Sequence, residues 1–346
     1  MRYLNMIKDR YEIREPIDNK ELYNIAEDKN IKILQISEGI SKTSWKAIAK
    51  IIIANRPDIS IRLFHFIKDI CDLSVLELIS DVEKLTIDCV DEVKNIQCLS
   101  SLKKLKSFSV GIYNLESFEC LNNIPQNLEE LYLDQTKSKK PDLNVLEKFE
   151  NLKVLSVVGH TKNIHTISKL INLRALNFRT VKAENLDFLK GLNKLQVLDV
   201  RQGSVKDVSV LKELKQLKYL ELWQVRGIED VDFISYMIDL ETLFLQSLNK
   251  VNSLPCFNNL NSLKKLYLKK MNHLSNFENL STLTTLEELY ILEAKQQSPE
   301  DYFILLENAP IRSAKGNFEN KKKNKVFEDK LEELGIRLEI KQIVKS

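Results

Sequence analysis

Apolar residues recur along this chain in one spacing, L-x-x-L-x-L, over most of its length. The first copy starts at Val82 with Leu85 and Ile87, the second at Leu105 with Phe108 and Val110, the third at Leu128 with Leu131 and Leu133. Seven more start at Leu152, Leu173, Leu195, Leu217, Leu240, Leu263 and Leu286. Successive starts lie 21 to 24 residues apart, which is an internal repeat. Within each copy the last two apolar positions are two apart. Both therefore point to one side of a short strand, and their neighbours to the other. The first apolar residue, three positions earlier, enters the same core from the turn before the strand. One copy cannot cover its own apolar side, whereas stacked copies bury a continuous core and align their strands in parallel. Return segments such as Leu186, Phe188, Leu189, Leu192 and Val205, Val208, Leu211, Leu214 have room for a turn or two of 3₁₀ or irregular helix.

The stretch Leu195-Gln-Val-Leu198-Asp-Val200, continued by Val205, Asp207, Val208, Leu211 and Leu214, closely resembles the leucine-rich-repeat family. It is most similar to the 22-residue class that includes the internalins. The resemblance covers about residues 82–293 and implies an α/β fold: a leucine-rich-repeat solenoid, a curved horseshoe with a parallel β-sheet on the concave face. It implies binding of proteins far more often than catalysis. One departure concerns the turns. The family places Asn eight residues after the first Leu, where its side chain satisfies backbone groups. Here those positions hold Val90, Tyr113, Thr136, His160, Val181, Gly203, Val225, Leu248, Met271 and Ala294. The turns must find backbone partners by other means, and irregular curvature is expected.

Residues 82–293 thus form ten repeats of 21–24 residues, and the flanks are expected to cap them, since an uncovered core end would aggregate. In the N-terminal cap, residues 1–81, Ile31–Ile36 and Ile59–Leu63 read as strands around a helix at Ser44–Asn55 ended by Pro57, with the strand register ambiguous. In the C-terminal cap, residues 294–346, a short helix is expected over Pro299–Leu306. A second runs from about Val326 to Leu334 and ends at Gly335, and a strand follows at Ile336–Ile340. The run Lys321-Lys322-Lys323-Asn324-Lys325 reads as a solvated loop.

Composition narrows the function classes. With 43% hydrophobic and 29% charged residues the chain reads as soluble and folded. Its formal charge of +3 lacks the basic stripe of a nucleic-acid binder. The start, Met1 to Arg10, has no apolar leader core, and no later stretch is long enough to span a membrane, so a cytoplasmic location is expected. Cys71, Cys89, Cys98, Cys120 and Cys256 are odd in number and lack CxxC spacing, which fits reduced thiols. His65, His160, His165 and His273 are scattered, without a metal-ligand set, and solvent or turn roles are expected for them. There is no glycine-rich phosphate loop and no GxSxG. Some bacterial repeat proteins carry a ubiquitin-ligase domain with a Cys-x-Asp nucleophile. Cys89-Val90-Asp91 matches those three residues, but it ends a repeat strand and no domain remains to house the enzyme. No enzymatic activity and no cofactor are expected.

The residues alternating with the core project from the sheet in three rows, about 45 Å long at about 4.8 Å per strand. The first is Lys84, Ser107, Glu130, Val154, Ala175, Val197, Tyr219, Thr242, Lys265, Glu288. The second is Thr86, Ser109, Tyr132, Ser156, Asn177, Asp199, Glu221, Phe244, Tyr267, Tyr290. The third is Asp88, Gly111, Asp134, Val158, Arg179, Arg201, Trp223, Gln246, Lys269, Leu292. Large aromatics and arginines concentrate in the C-terminal half. Arg179, Arg201, Tyr219, Glu221, Trp223, Phe244, Tyr267, Lys269 and Tyr290 are the candidate partner-binding residues, because Trp, Tyr and Arg dominate protein-interface hot spots. Against this stands an inert sheet face, since aromatic pairs stabilise strands without any partner. The expected partner is a protein of unknown identity. Alternatives are an inhibitor or immunity-type protein covering a toxin or enzyme, a secreted host-directed effector, or a nucleic-acid binder stacking bases on the aromatics. The last is opposed by Asp199 and Glu221 in the same patch.

Overall fold

The computed structural model describes residues 9–65 and 70–339. The chain divides into two compact units, the first ending at Leu170 and the second beginning at Ile171.

The first unit carries seven parallel strands in chain order: β1 (Arg10–Ile13), β2 (Ile33–Ile36), β3 (Ser60–Phe64), β4 (Lys84–Val90), β5 (Ser107–Ile112), β6 (Glu130–Leu133) and β7 (Val154–Val158). Their register extends the L-x-L pair into strands where the motif is unreadable. Ile13 pairs with Ile36, Ile36 with Leu63, Leu63 with Ile87 and Ile87 with Val110. Each of these side chains is buried. The ambiguous register is thereby decided, with Leu34 and Ile36, then Ile61 and Leu63, facing the core. Strand β1 and helix α1 (Asn19–Glu27), capped by Asp18 accepting from the Glu21 backbone N–H, were not expected. The expected helix near Trp45 is α2 (Lys42–Ile48), continued by a π-helical stretch, Ala49–Ile53.

The second unit repeats the arrangement with eight strands: β8 (Ala175–Arg179), β9 (Val197–Arg201), β10 (Tyr219–Trp223), β11 (Thr242–Gln246), β12 (Lys265–Lys269), β13 (Glu288–Leu292), β14 (Ser313–Gly316) and β15 (Arg337–Leu338). Leu176, Leu198, Leu220, Leu243, Leu266 and Leu289 fall in one register line, and Ala314 and Leu338 continue it. The leading residue of every repeat, from Val82 to Leu286, is buried as well. Return segments form short 3₁₀ helices, such as Ser209–Glu213 and Asp232–Tyr236, because 22 residues leave no room for more.

The missing asparagines have a backbone substitute. One residue before each of the expected Asn positions of the second unit, Thr180, Gln202, Gln224, Ser247, Lys270 and Glu293 adopt left-handed backbone, with φ between 52° and 56°. Their N–H groups reach the next repeat: Thr180 to the Arg201 carbonyl, Gln202 to Trp223, Gln224 to Gln246, Ser247 to Lys269, Lys270 to Leu292. The vacated side-chain positions are filled by buried apolar residues, among them Val181, Val225, Leu248 and Met271. In the first unit His160 keeps a polar role. It is buried, its Nε2 lies 3.1 Å from the Asp134 carbonyl, and Phe118 packs edge-on against it. Burial lowers its pKa and keeps the ring neutral.

The lysine run requires a correction. It is not a loop but the first turns of α4 (Lys321–Glu333), which starts five residues earlier than expected. Asn320 caps it by accepting from the Lys322 and Lys323 backbone N–H groups, and Phe327 and Leu331, four apart, are both buried. The Lys323 ammonium donates to the carbonyls of Lys295 and Gln297, so one lysine of the run is a structural tie. Packing of Phe327 also explains why a core position of β14 is Gly316. A Cβ there would lie 2.5 Å from the Phe327 ring. The short helix expected at Pro299 is a 3₁₀ turn, Pro299–Tyr302, leading into α3 (Phe303–Asn308). Ile340, the end of the expected last strand, lies outside the described residues, as do residues 1–8.

Candidate functional site

All nine candidate residues lie on the second unit, on or between strands β8 and β13. The register sets them in rows: Arg179, Arg201, Trp223, Gln246 and Lys269 in one, Glu221, Phe244, Tyr267 and Tyr290 in the next. Their exposure is less uniform than the alternation implies. Arg179 is exposed, and Arg201, Tyr219, Trp223, Tyr267 and Lys269 are half-buried. Glu221, Phe244 and Tyr290 are buried among their neighbours on the face.

The polar end is built around Arg201. Its Nε donates to Asp199 Oδ1 at 2.7 Å, and its Nη2 reaches Asp199 Oδ2 at 2.5 Å and Glu221 Oε2 at 3.0 Å. The Tyr219 hydroxyl donates to the same Glu221 oxygen at 2.8 Å. The guanidinium carbon lies 5.7 Å from the centre of the Trp223 ring, a cation–π distance. One guanidinium therefore serves two carboxylates. Burial pushes the Asp199 carboxyl up to about 6, against the opposing pull of Arg201 and with the help of the Glu221 charge. The Tyr219 hydroxyl is raised for the same reasons, burial first and Glu221 next.

The apolar end is a run of three rings. Phe244 stacks on Tyr267 with centroids 5.4 Å apart, and Tyr267 on Tyr290 at 4.4 Å. The Tyr290 hydroxyl donates to Glu288 at 3.1 Å. Lysines beside the rings are matched one to one, Lys265 with Glu288 and Lys269 with Glu293, each at 3.0 Å. Arg179 Nε donates to the Gln202 side chain.

No family model matches the chain, and no curated protein matches its sequence. Solved structures do. An internalin from Listeria monocytogenes superimposes with a TM-score of 0.51 at 18% identity, covering 78% of this chain and 88% of that one. The mouse RP105/MD-1 complex gives 0.52 at 16% identity, over 89% of this chain and 63% of that one. The chain has the leucine-rich-repeat fold. Identities this low carry the fold alone.

Two features of the leucine-rich-repeat face were missed. One is Gln246, which is buried with no hydrogen-bond partner for its Oε1. It reads in the sequence as one more polar residue, and only the fold, which sets it in register beside Trp223, buries it. The other lies in the first unit. Arg62 is buried and donates to Gln35 at 2.9 Å and to Asp88, and its guanidinium sits 4.0 Å over the Phe64 ring. Arg10 also donates to Gln35, at 2.8 Å. The alternation Leu34-Gln35-Ile36 and Ile61-Arg62-Leu63 is the signal that would have found it. Among the described residues, no group of three or more His, Cys, Asp or Glu is placed to hold a metal ion. No helix among them is long and apolar enough to cross a membrane.

Proposed function

We propose that this chain is a non-enzymatic binding module whose sheet face over β8–β13 docks a protein partner. The observation that carries the reading is the joint placement of Trp223, Tyr219, Tyr267 and the arginines Arg179 and Arg201 on one face, part of it open to solvent. Such side chains desolvate large areas while keeping polar handles, which is why they dominate interface energetics. The mouse structure of the same fold is itself a complex, RP105 with MD-1, which supports a binding role. Nucleic acid fits less well, because Asp199 and Glu221 sit among the aromatics and repel phosphate. We take the elements before residue 82 and after residue 293 as caps on the repeat core. We take the compartment as a reducing, bacterial cytoplasm, in keeping with five free thiols of which Cys71, Cys98 and Cys120 are buried.

The test is an affinity pull-down from lysate of the source organism, comparing wild type with a Trp223→Ala/Tyr267→Ala variant that melts alike. A protein held by wild type and lost by the variant supports the reading. Equal retention by both moves the site off this face.

A further inference from the structure

On the face proposed as the docking surface, we propose that Arg179, held on β8 by Gln202, receives an acidic side chain of the protein partner, an aspartate or a glutamate. The inference rests on that reading of the face and adds the chemistry of what it binds.

Charge is the first argument. On β9–β13 each cation of the face already has a carboxylate: Arg201 has Asp199 and Glu221, Lys265 has Glu288, and Lys269 has Glu293. Arg179 on β8 has none among the described residues. Asp199, on the neighbouring strand, is engaged by Arg201. Of the nine candidate residues Arg179 alone is exposed, so its charge lies open to a partner. The counter-charge that the rest of the face carries within itself has to come, at Arg179, from outside.

The second argument is geometric. Arg179 Nε donates to Gln202 Oε1 at 3.1 Å, and neither Nη group is bonded to a described residue. With Nε engaged, the Nη1–Nη2 pair is the fork that remains, and it matches the two oxygens of one carboxylate. The same tie orients the Gln202 amide. Its oxygen accepts from Arg179, so its Nε2 is a further donor at the same place. Asn177, half-buried two residues back on the same side of β8, brings another amide. Holding the long side chain before the partner arrives lowers the rotamer freedom lost on binding. The register line Arg179, Arg201, Trp223 puts the fork two strands, about 10 Å, from the indole. An acidic and an apolar residue of one partner segment can therefore engage both. A single carboxylate at β8 stays one strand from Asp199 and two from Glu221, whereas a nucleic-acid strand crossing the face would lay phosphates over both.

The experiment is selection of a random-peptide phage library on the whole purified chain, discarding peptides that also bind the Trp223→Ala/Tyr267→Ala variant. The survivors are synthesised with each aspartate replaced by asparagine, and each glutamate by glutamine, and titrated calorimetrically. Surviving peptides are expected to share an acidic residue, and its amide replacement to weaken binding about tenfold or more. Arg179→Gln, a change at an exposed position, is expected to erase most of that difference. Surviving peptides without an acidic residue, indifferent to its amide replacement, or as sensitive to it on Arg179→Gln as on wild type, would overturn this inference and leave the docking face standing. No surviving peptide at all would overturn both.

Discussion

Tyr267 and Tyr290 lie face to face on β12 and β13, their ring centres 4.4 Å apart and their planes within 2° of parallel. In a parallel sheet, residues in register are about 4.8 Å apart, so identical rings at identical positions are pressed into a stack. The stack belongs to the fold as well as to the proposed site. Tyr290 is buried, while Tyr267 keeps part of its surface. A double-mutant cycle with Tyr267→Ala and Tyr290→Ala in urea is expected to show a coupling of about 0.5–1.5 kcal/mol. Additive effects would mean that the rings are neighbours without mutual stabilisation.

The pH dependence of stability should carry the mark of Asp199. Its folded-state pKa is raised to about 6, above the ordinary carboxylate value near 3.8. The folded protein therefore binds this proton more tightly than the unfolded chain. The stability it contributes is fully present below about pH 4 and is lost as pH rises to about 6. Asp199→Asn cannot lose it. The variant is expected to match wild type near pH 4 and to exceed it by about 2–3 kcal/mol at pH 7. Urea midpoints at pH 4, 5, 6 and 7 measure the difference, and a constant offset across them would contradict the assignment.

The backbone ladder that replaces the asparagines predicts opposite outcomes at two nearby positions. Gln224 is exposed and holds φ at 52°, a strained value for a residue with a Cβ. Gln224→Gly is expected to raise stability by about 0.5–1 kcal/mol, since the relief of strain exceeds the added freedom of the unfolded chain. Gly227 holds φ at 103°, and a Cβ there would lie 2.0 Å from the Val205 carbonyl oxygen. Gly227→Ala is expected to cost about 2 kcal/mol or more. Thermal melts of the two variants should move in opposite directions.

The repeat was legible because its period is set by backbone geometry and its apolar residues by burial, both of which act locally on the sequence. The flanks were legible only in part. Ile31–Ile36 and Ile59–Leu63 were recognisable as strands, but their register depended on pairing with Leu85 and Ile87. The lysine run misled, because its composition is that of a loop. Its helix is held by a cap from Asn320 and by Phe327 packed over Gly316, partners eleven residues apart in sequence. The alternation of side chains along each strand told which residues share the side of the sheet opposite the core. The alternation could not tell Glu221, which is buried, from Arg179, which is exposed.

The sequence by itself determined the parallel strand ladder, the side of each strand that faces the core, and the concentration of aromatics at its C-terminal half. Those follow from period and polarity, which each residue carries with it. Only the tertiary structure decided that Arg201 serves two carboxylates, that the Gln246 acceptor is left without a donor, and that backbone N–H groups do the work of the absent asparagines. Hydrogen bonding and desolvation depend on distances between side chains of different repeats, and no single repeat contains those distances.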